Sequence, residues 1–107
     1  MPPQPLVVLT TLGDADDARA FVRRLVDDRL VACGTLLPGG VSIYRWEGEV
    51  TEESEVVVLL KTDAGKWDAL CAAVRERHPY EVPELLALSV GRGLSPYLAW
   101  LAGEVSE

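Results

Sequence analysis

One histidine, two cysteines and a crowded set of glutamates are the side chains with the most chemistry to offer in this sequence. His78 could give a metal one imidazole nitrogen, but a single imidazole sets neither affinity nor geometry, so it would need partners elsewhere in the fold or on a second copy of the chain. The same residue precedes Pro79 at the end of a helical pattern, where a cationic ring suits the negative end of the helix dipole. Cys33 opens a strand-like run and could supply a soft thiolate to copper(I), whereas burial would leave it inert. Cys71 falls on the apolar side of a helical pattern and reads as packing. Neither cysteine has CxxC or CxH spacing, which excludes ribbon-type zinc sites and thioredoxin chemistry. Both thiols are expected to be reduced and mostly buried.

The run His78-Pro79-Tyr80-Glu81-Val82-Pro83-Glu84 carries two prolines, each fixing one φ angle and removing one N–H donor. A stiff extended loop of this kind presents Tyr80, Glu81 and Glu84 in a defined geometry. It suits a wall of a ligand cleft, or equally a clamp between the helix before it and the strand after it. Glu47, Glu49, Glu52, Glu53 and Glu55 offer hard oxygen donors but lack the spacing and glycine of an EF-hand loop, so a solvated strand is expected there, with divalent ions adsorbed weakly. A single histidine supports no Ser-His-Asp or Cys-His constellation. Glu81 and Glu84 are the acid–base pair left to argue, and no enzyme activity is expected.

The chain has 107 residues, the size of one domain, so 1–107 is taken as a single folding unit. Hydrophobic residues are 49% and charged residues 25%, an ordinary globular balance. The formal net charge of −7 repels phosphate backbones and anionic lipid, which argues against nucleic acid or a membrane surface as a partner. The longest apolar stretch, Val56 to Leu60, is far too short to span a bilayer. Met1-Pro2-Pro3-Gln4-Pro5 shows no basic segment followed by an apolar run, so a cytoplasmic location is expected.

The elements that must position these residues follow from periodicity. Leu6–Thr11 is a continuous β-branched and aliphatic run, as in a strand covered on both faces or lying centrally in a sheet. Asp14, with Asp17 three residues on, starts a helix whose apolar positions are Ala18, Phe21, Val22, Leu25, Val26 and Leu30. Strand character returns at Ala32–Leu37, is interrupted by Pro38-Gly39-Gly40, and resumes from Val41 to Trp46; the interruption predicts an edge, a bulge or a bend. Glu47-Gly48 is a hairpin turn leading back to a buried strand, Glu55–Lys61. Thr62 or Asp63 caps a second helix carrying Trp67, Leu70, Cys71 and Val74, and Pro79 ends it. Leu85–Val90 is a fourth strand, and Ser95-Pro96 starts a short last helix with serine as its cap. The order β-α-β-β-α-β plus a helix predicts an α+β domain: an antiparallel, ferredoxin-like sheet with two helices on one face.

The hairpin from about Ala32 to Lys61 is longer than strands of about six residues can pair with, so part of it must overhang. The overhang holds Tyr44, Trp46 and Val50, and an open edge with aromatic side chains invites another chain, which predicts oligomerisation without fixing the number of subunits.

Three stretches resemble one family. Val7-Val8-Leu9-Thr10-Thr11, Leu30-Val31-Ala32-Cys33 through Leu37-Pro38-Gly39, and Ser42-Ile43-Tyr44-Arg45-Trp46-Glu47-Gly48 look like the first half of the CutA divalent-cation tolerance proteins. Lys61-Thr62, the His78–Glu84 run and Pro96-Tyr97-Leu98-Ala99-Trp100-Leu101 resemble the second half, so the likeness covers about Leu6 to Trp100. The resemblance implies a ferredoxin-like homotrimer joined through extended hairpins and associated with tolerance of copper and other divalent metals. It implies binding of a divalent cation rather than catalysis, with no cofactor required. Copper positions in some bacterial members, a cysteine on the first strand and a His-His pair before Pro-Tyr, match Thr10, Arg77 and His78 here, so only His78 keeps the ligand type. The nitrogen-regulatory PII proteins share the trimeric plan, which gives the alternative expectation of a small-molecule sensor with clefts between subunits. Against nucleotides, the chain has no glycine-rich phosphate cradle.

Overall fold

The computed structural model describes residues 2–106. Its elements run β1 (Pro5–Leu12), α1 (Ala15–Asp27), β2 (Cys33–Trp46), β3 (Glu49–Asp63), α2 (Trp67–Arg77), β4 (Leu86–Ser89) and α3 (Ser95–Val105), the order expected from periodicity. They form an α+β domain whose single four-stranded sheet, ordered β2-β3-β1-β4, is antiparallel throughout. Asp14 caps α1 by accepting a hydrogen bond from the Asp17 N–H. Asp63, not Thr62, is the acidic cap before α2: it accepts from Gly65 N–H and opens a short 3-10 turn, Ala64–Lys66, that runs into the helix. No helix among the described residues is long and apolar enough to cross a membrane.

Alternation decides which strand residues meet the helices. Leu6, Val8 and Leu12 of β1 and Val56, Val58 and Leu60 of β3 point to one face, where Phe21, Val22 and Leu25 of α1 and Leu70 and Val74 of α2 close the core. Gly34 of β2 lies on this face too, because a Cβ there would stand 2.6 Å from Val22 Cγ1. Thr10 is fully buried in the same layer, and its hydroxyl has no hydrogen-bond partner among the described residues. Removing an unpaired buried hydroxyl while keeping the shape is favourable. Thr10→Val is therefore expected to raise stability by about 1 kcal/mol, read as a shift of the urea midpoint at constant slope; a variant that is less stable would mean the hydroxyl has a partner.

The opposite face carries Val7, Leu9, Val57, Leu59 and Leu37, with Leu86 and Leu88 of β4, 57% and 59% exposed, at its edge. Of the two readings of the Leu6–Thr11 run, the central position holds, since β1 lies between β3 and β4, whereas its second face is only partly covered within the single chain. Of the helices only α3 reaches this side, at one end, where the Tyr97 hydroxyl lies 3.6 Å from Cys33 Sγ while Leu101 and Val105 pack with Ala32. Helices α1 and α2 thus share one face of the sheet, as expected, and the terminal α3 lies against the other. Ser95 is also not a cap: Leu94 occupies the capping position, and Ser95 and Pro96 form the first turn. Cys33 and Cys71 are free and half-buried, less enclosed than expected.

The hairpin overhangs as predicted. Pairing of β1 with β3 stops at Leu12–Val56, so Glu49–Glu55 pair only with β2. The Pro38-Gly39-Gly40 interruption is an irregularity in register between Leu37 and Gly40, and Glu47 and Gly48 both take positive φ at the tip.

Candidate functional site

The overhang, the end of β1 and the loop after α2 enclose a groove of about 680 Å³. Directly opposed residues share a face, so Ser42 stands beside Glu53 and Tyr44 beside Thr51 on the hairpin side of it. Tyr80, Glu81 and Glu84 supply the other wall. The structure thus brings together five residues singled out from sequence for two unrelated reasons: Tyr80, Glu81 and Glu84 as a rigid loop, and Tyr44 and Trp46 as an overhanging hairpin.

Two phenol–carboxylate bonds cross this region. Tyr44 donates to Glu53 Oε1 at 2.8 Å, and Tyr80 donates to Glu55 Oε2. Glu55 is buried, 8% exposed, although it sits in an acidic run expected to be solvated. Burial, reinforced by the hydrogen bond and charge of Glu55, holds the Tyr80 hydroxyl far above its usual range, so it remains a donor across neutral pH. The Tyr44 hydroxyl is raised as well, chiefly by its bond to Glu53. Glu53 and Glu55 were missed as site residues. The available signal was parity: Thr51, Glu53 and Glu55 alternate onto one face of the overhang, opposite Val50, Glu52 and Ser54.

His78 lies behind the groove as the C-cap of α2, with 7% exposure, between the ring of Phe21 at 5.5 Å and that of Tyr80 at 4.8 Å. The Tyr80 N–H can only donate, so its 3.1 Å contact makes His78 Nδ1 an acceptor. Nε2 then carries the proton and donates to the Thr11 carbonyl at 2.8 Å. Both ring nitrogens are therefore engaged, and the ring is neutral: burial lowers its pKa, with the Thr11 carbonyl and the Glu55 charge opposing more weakly. A metal at His78 would have to displace one of these bonds.

Cys33 belongs to a different place. It is in register with Lys61 and through it with Val7, whereas Thr11 lies four residues further along β1, about 13 Å at ~3.3 Å per residue. Cys33 and His78 of one chain do not meet. Arg77, beside His78, is tied to Asp28 at 2.7 Å. Among the described residues no three His, Cys, Asp or Glu side chains are grouped closely enough to hold one metal ion.

The loop, hairpin and strand that build this groove fall inside a single stretch of family similarity. Residues 6–104 match the model of the CutA1 divalent ion tolerance protein family. The chain belongs to the CutA family. Its relatives include the divalent-cation tolerance protein CutA of Pectobacterium atrosepticum, 45% identical over 96 residues, covering 90% of this chain and 87% of the relative. The protein of the same name from Citrobacter koseri is 42% identical over 99 residues, covering 92% and 86%. Among solved structures, the divalent cation tolerance protein of Thermus thermophilus superposes with a TM-score of 0.92 at 41% identity, covering 95% of this chain and 99% of the other. Rice CutA1 superposes with 0.94 at 33% identity, covering 97% and 95%. The family match spans the residues that line the groove, hairpin included.

Proposed function

We propose that this CutA chain works as a homotrimer of ferredoxin-like subunits, in the cytoplasm, and binds a divalent cation or a small cationic or neutral molecule in the groove without catalysing a reaction. The observation that carries this is the lining of the groove: Glu53, Glu55, Glu81 and Glu84 face it with no lysine or arginine among them. Such a wall attracts cations and repels phosphates, which sets nucleotides and nucleic acid aside. Copper is the cation suggested by the sequence resemblance. The available donors are oxygens, however, so the cation is placed at the groove carboxylates rather than at His78 or Cys33.

Assembly is supported by the apolar surface that a single chain leaves open. Val41, Ile43 and Val50 on the far side of the overhang are 62%, 66% and 67% exposed, and the sheet face ending in Leu86 and Leu88 is uncovered. A second subunit would bury both and could complete an ion site for which one chain has too few donors.

A small organic ligand is the second reading. The groove volume is within the range of small-molecule sites, and Tyr44, Trp46 and Tyr80 offer aromatic faces beside the carboxylates.

Light scattering on the purified protein is expected to give three times the 11.6 kDa chain mass; a monomer at micromolar concentration ends the assembly reading. Titration calorimetry with Cu(II), Zn(II) and Mg(II) is expected to show binding that Glu81→Gln combined with Glu84→Gln weakens at least tenfold. Binding unaffected by that pair but abolished by His78→Ala or Cys33→Ser would move the cation out of the groove. Absence of any binding tighter than millimolar would end the cation reading and leave the small molecule.

A further inference from the structure

Glu55 is a buried carboxylate without a cation. It is 8% exposed, and no lysine, arginine or histidine forms an ion pair with it among the described residues. Its Oε2 accepts from the Tyr80 hydroxyl, while Oε1 has no hydrogen-bond partner among those residues and the side chain lines the groove. Carboxylates taken out of water are ordinarily paired with a cation. Glu53 repeats the pattern one alternation away: its Oε1 accepts from Tyr44, and Oε2 has no partner among the described residues. We propose, on the reading that the groove is the binding site, that it holds a linear aliphatic diamine or a longer polyamine of that kind, with one ammonium group at Glu55 and the next at Glu53.

A metal ion gathers its oxygens into one coordination sphere, and among the described residues no three acidic side chains are grouped that closely. The groove carboxylates are instead spread out. Glu53 and Glu55 are alternate residues of β3 on one face, about 6.6 Å apart at ~3.3 Å per residue. That span is close to the separation of the two nitrogens in extended 1,4-diaminobutane. Each glutamate is held by a phenol through one oxygen, so the other oxygen is oriented before a ligand arrives. Glu81 and Glu84 place further negative charge on the opposite wall. The rest of the lining also suits a carbon chain. Tyr44, Trp46 and Tyr80 offer ring faces that attract an ammonium group and shield methylenes from water, which a hydrated metal ion does not use. A ligand with its own carboxylate or phosphate would find no lysine or arginine in the lining, so simple amines are preferred over amino acids and nucleotides.

The test is titration calorimetry on the intact protein at neutral pH and fixed ionic strength, with 1,4-diaminobutane, butylamine and Mg(II) as probes. The diamine is expected to bind roughly tenfold or more tightly than butylamine, which has the same chain and half the charge, and than Mg(II), which has the same charge and no chain. Glu53→Gln is expected to weaken the diamine about tenfold, whereas Glu52→Gln, the same charge change on the other face of the strand, leaves it within about twofold. Both positions are exposed, so neither exchange disturbs the core. In the wild type, amide NMR shifts caused by the diamine are expected to concentrate in 51–55 and 80–84. Equal affinity for diamine and butylamine, equal losses at Glu52 and Glu53, or shifts centred elsewhere would each overturn the diamine site. Binding of Mg(II) that depends on Glu81 and Glu84, with no diamine binding tighter than millimolar, rejects the diamine and leaves the groove as a metal site. If neither probe binds, the groove reading falls as well.

Discussion

Tyr80→Phe is expected to cost about 3 kcal/mol of stability, a large loss for one oxygen atom. The variant keeps the ring and its contact with His78 but leaves the buried Glu55 without the hydroxyl that donates to it. Losing one partner of a buried hydrogen bond to a charged group costs the desolvation of the other, whereas removing both is milder. Glu55→Gln should therefore cost about 1 kcal/mol, and the double variant less than the sum, a coupling of about 1–2 kcal/mol between loop and β3. Denaturation midpoints of the four proteins give the cycle; additive losses would show that the two side chains act independently. The pair also has a pH signature. Because the folded Tyr80 hydroxyl is raised above its usual value near 10, its contribution is complete below pH 10 and fades as the pH rises beyond it. Tyr80→Phe should flatten stability in that alkaline range.

Gly34→Val is expected to be as damaging, by about 3 kcal/mol, for the opposite reason. The position has no backbone need for glycine; it needs the absence of a side chain. A Cβ would stand 2.6 Å from Val22 Cγ1 and 3.0 Å from Leu60 Cδ2, and both neighbours belong to the packed core. A branched side chain would push β2 away from α1, at the foot of the hairpin that forms the groove. Unfolding midpoints measure the loss, and Val22→Ala in the same chain should recover part of it. An unchanged midpoint for Gly34→Val alone would show that α1 can shift freely.

Local pattern was enough for much of the fold. The 3.6-residue spacing of Ala18, Phe21, Val22 and Leu25, the aspartate caps and the glycines of the hairpin tip act over a few residues. Helix α1, the register irregularity at Pro38–Gly40 and the overhang were therefore legible before any contact was known. The serine before Pro96 misled, because a capping residue type says nothing about where the helix axis begins once Leu94 is placed by neighbouring structure. The Leu6–Thr11 run left open whether the strand is central or covered on both faces; the sheet order makes it central, because an apolar run states that burial is needed, not that its own chain supplies it on both sides.

The site divides along the same line. Sequence by itself determined that Tyr80, Glu81 and Glu84 sit on a loop stiffened by prolines, that Tyr44 and Trp46 lie on an overhang, and that the chain resembles the CutA proteins. Only the tertiary structure decided that these two segments face each other across one groove, that Glu55 is buried against Tyr80, and that both nitrogens of His78 are spent on Thr11 and Tyr80. The physical reason is range. Proline stiffness and strand alternation are set by adjacent residues, whereas the partner of a buried carboxylate or imidazole lies 25 or 67 positions away and is chosen by how β1, β3 and α2 pack.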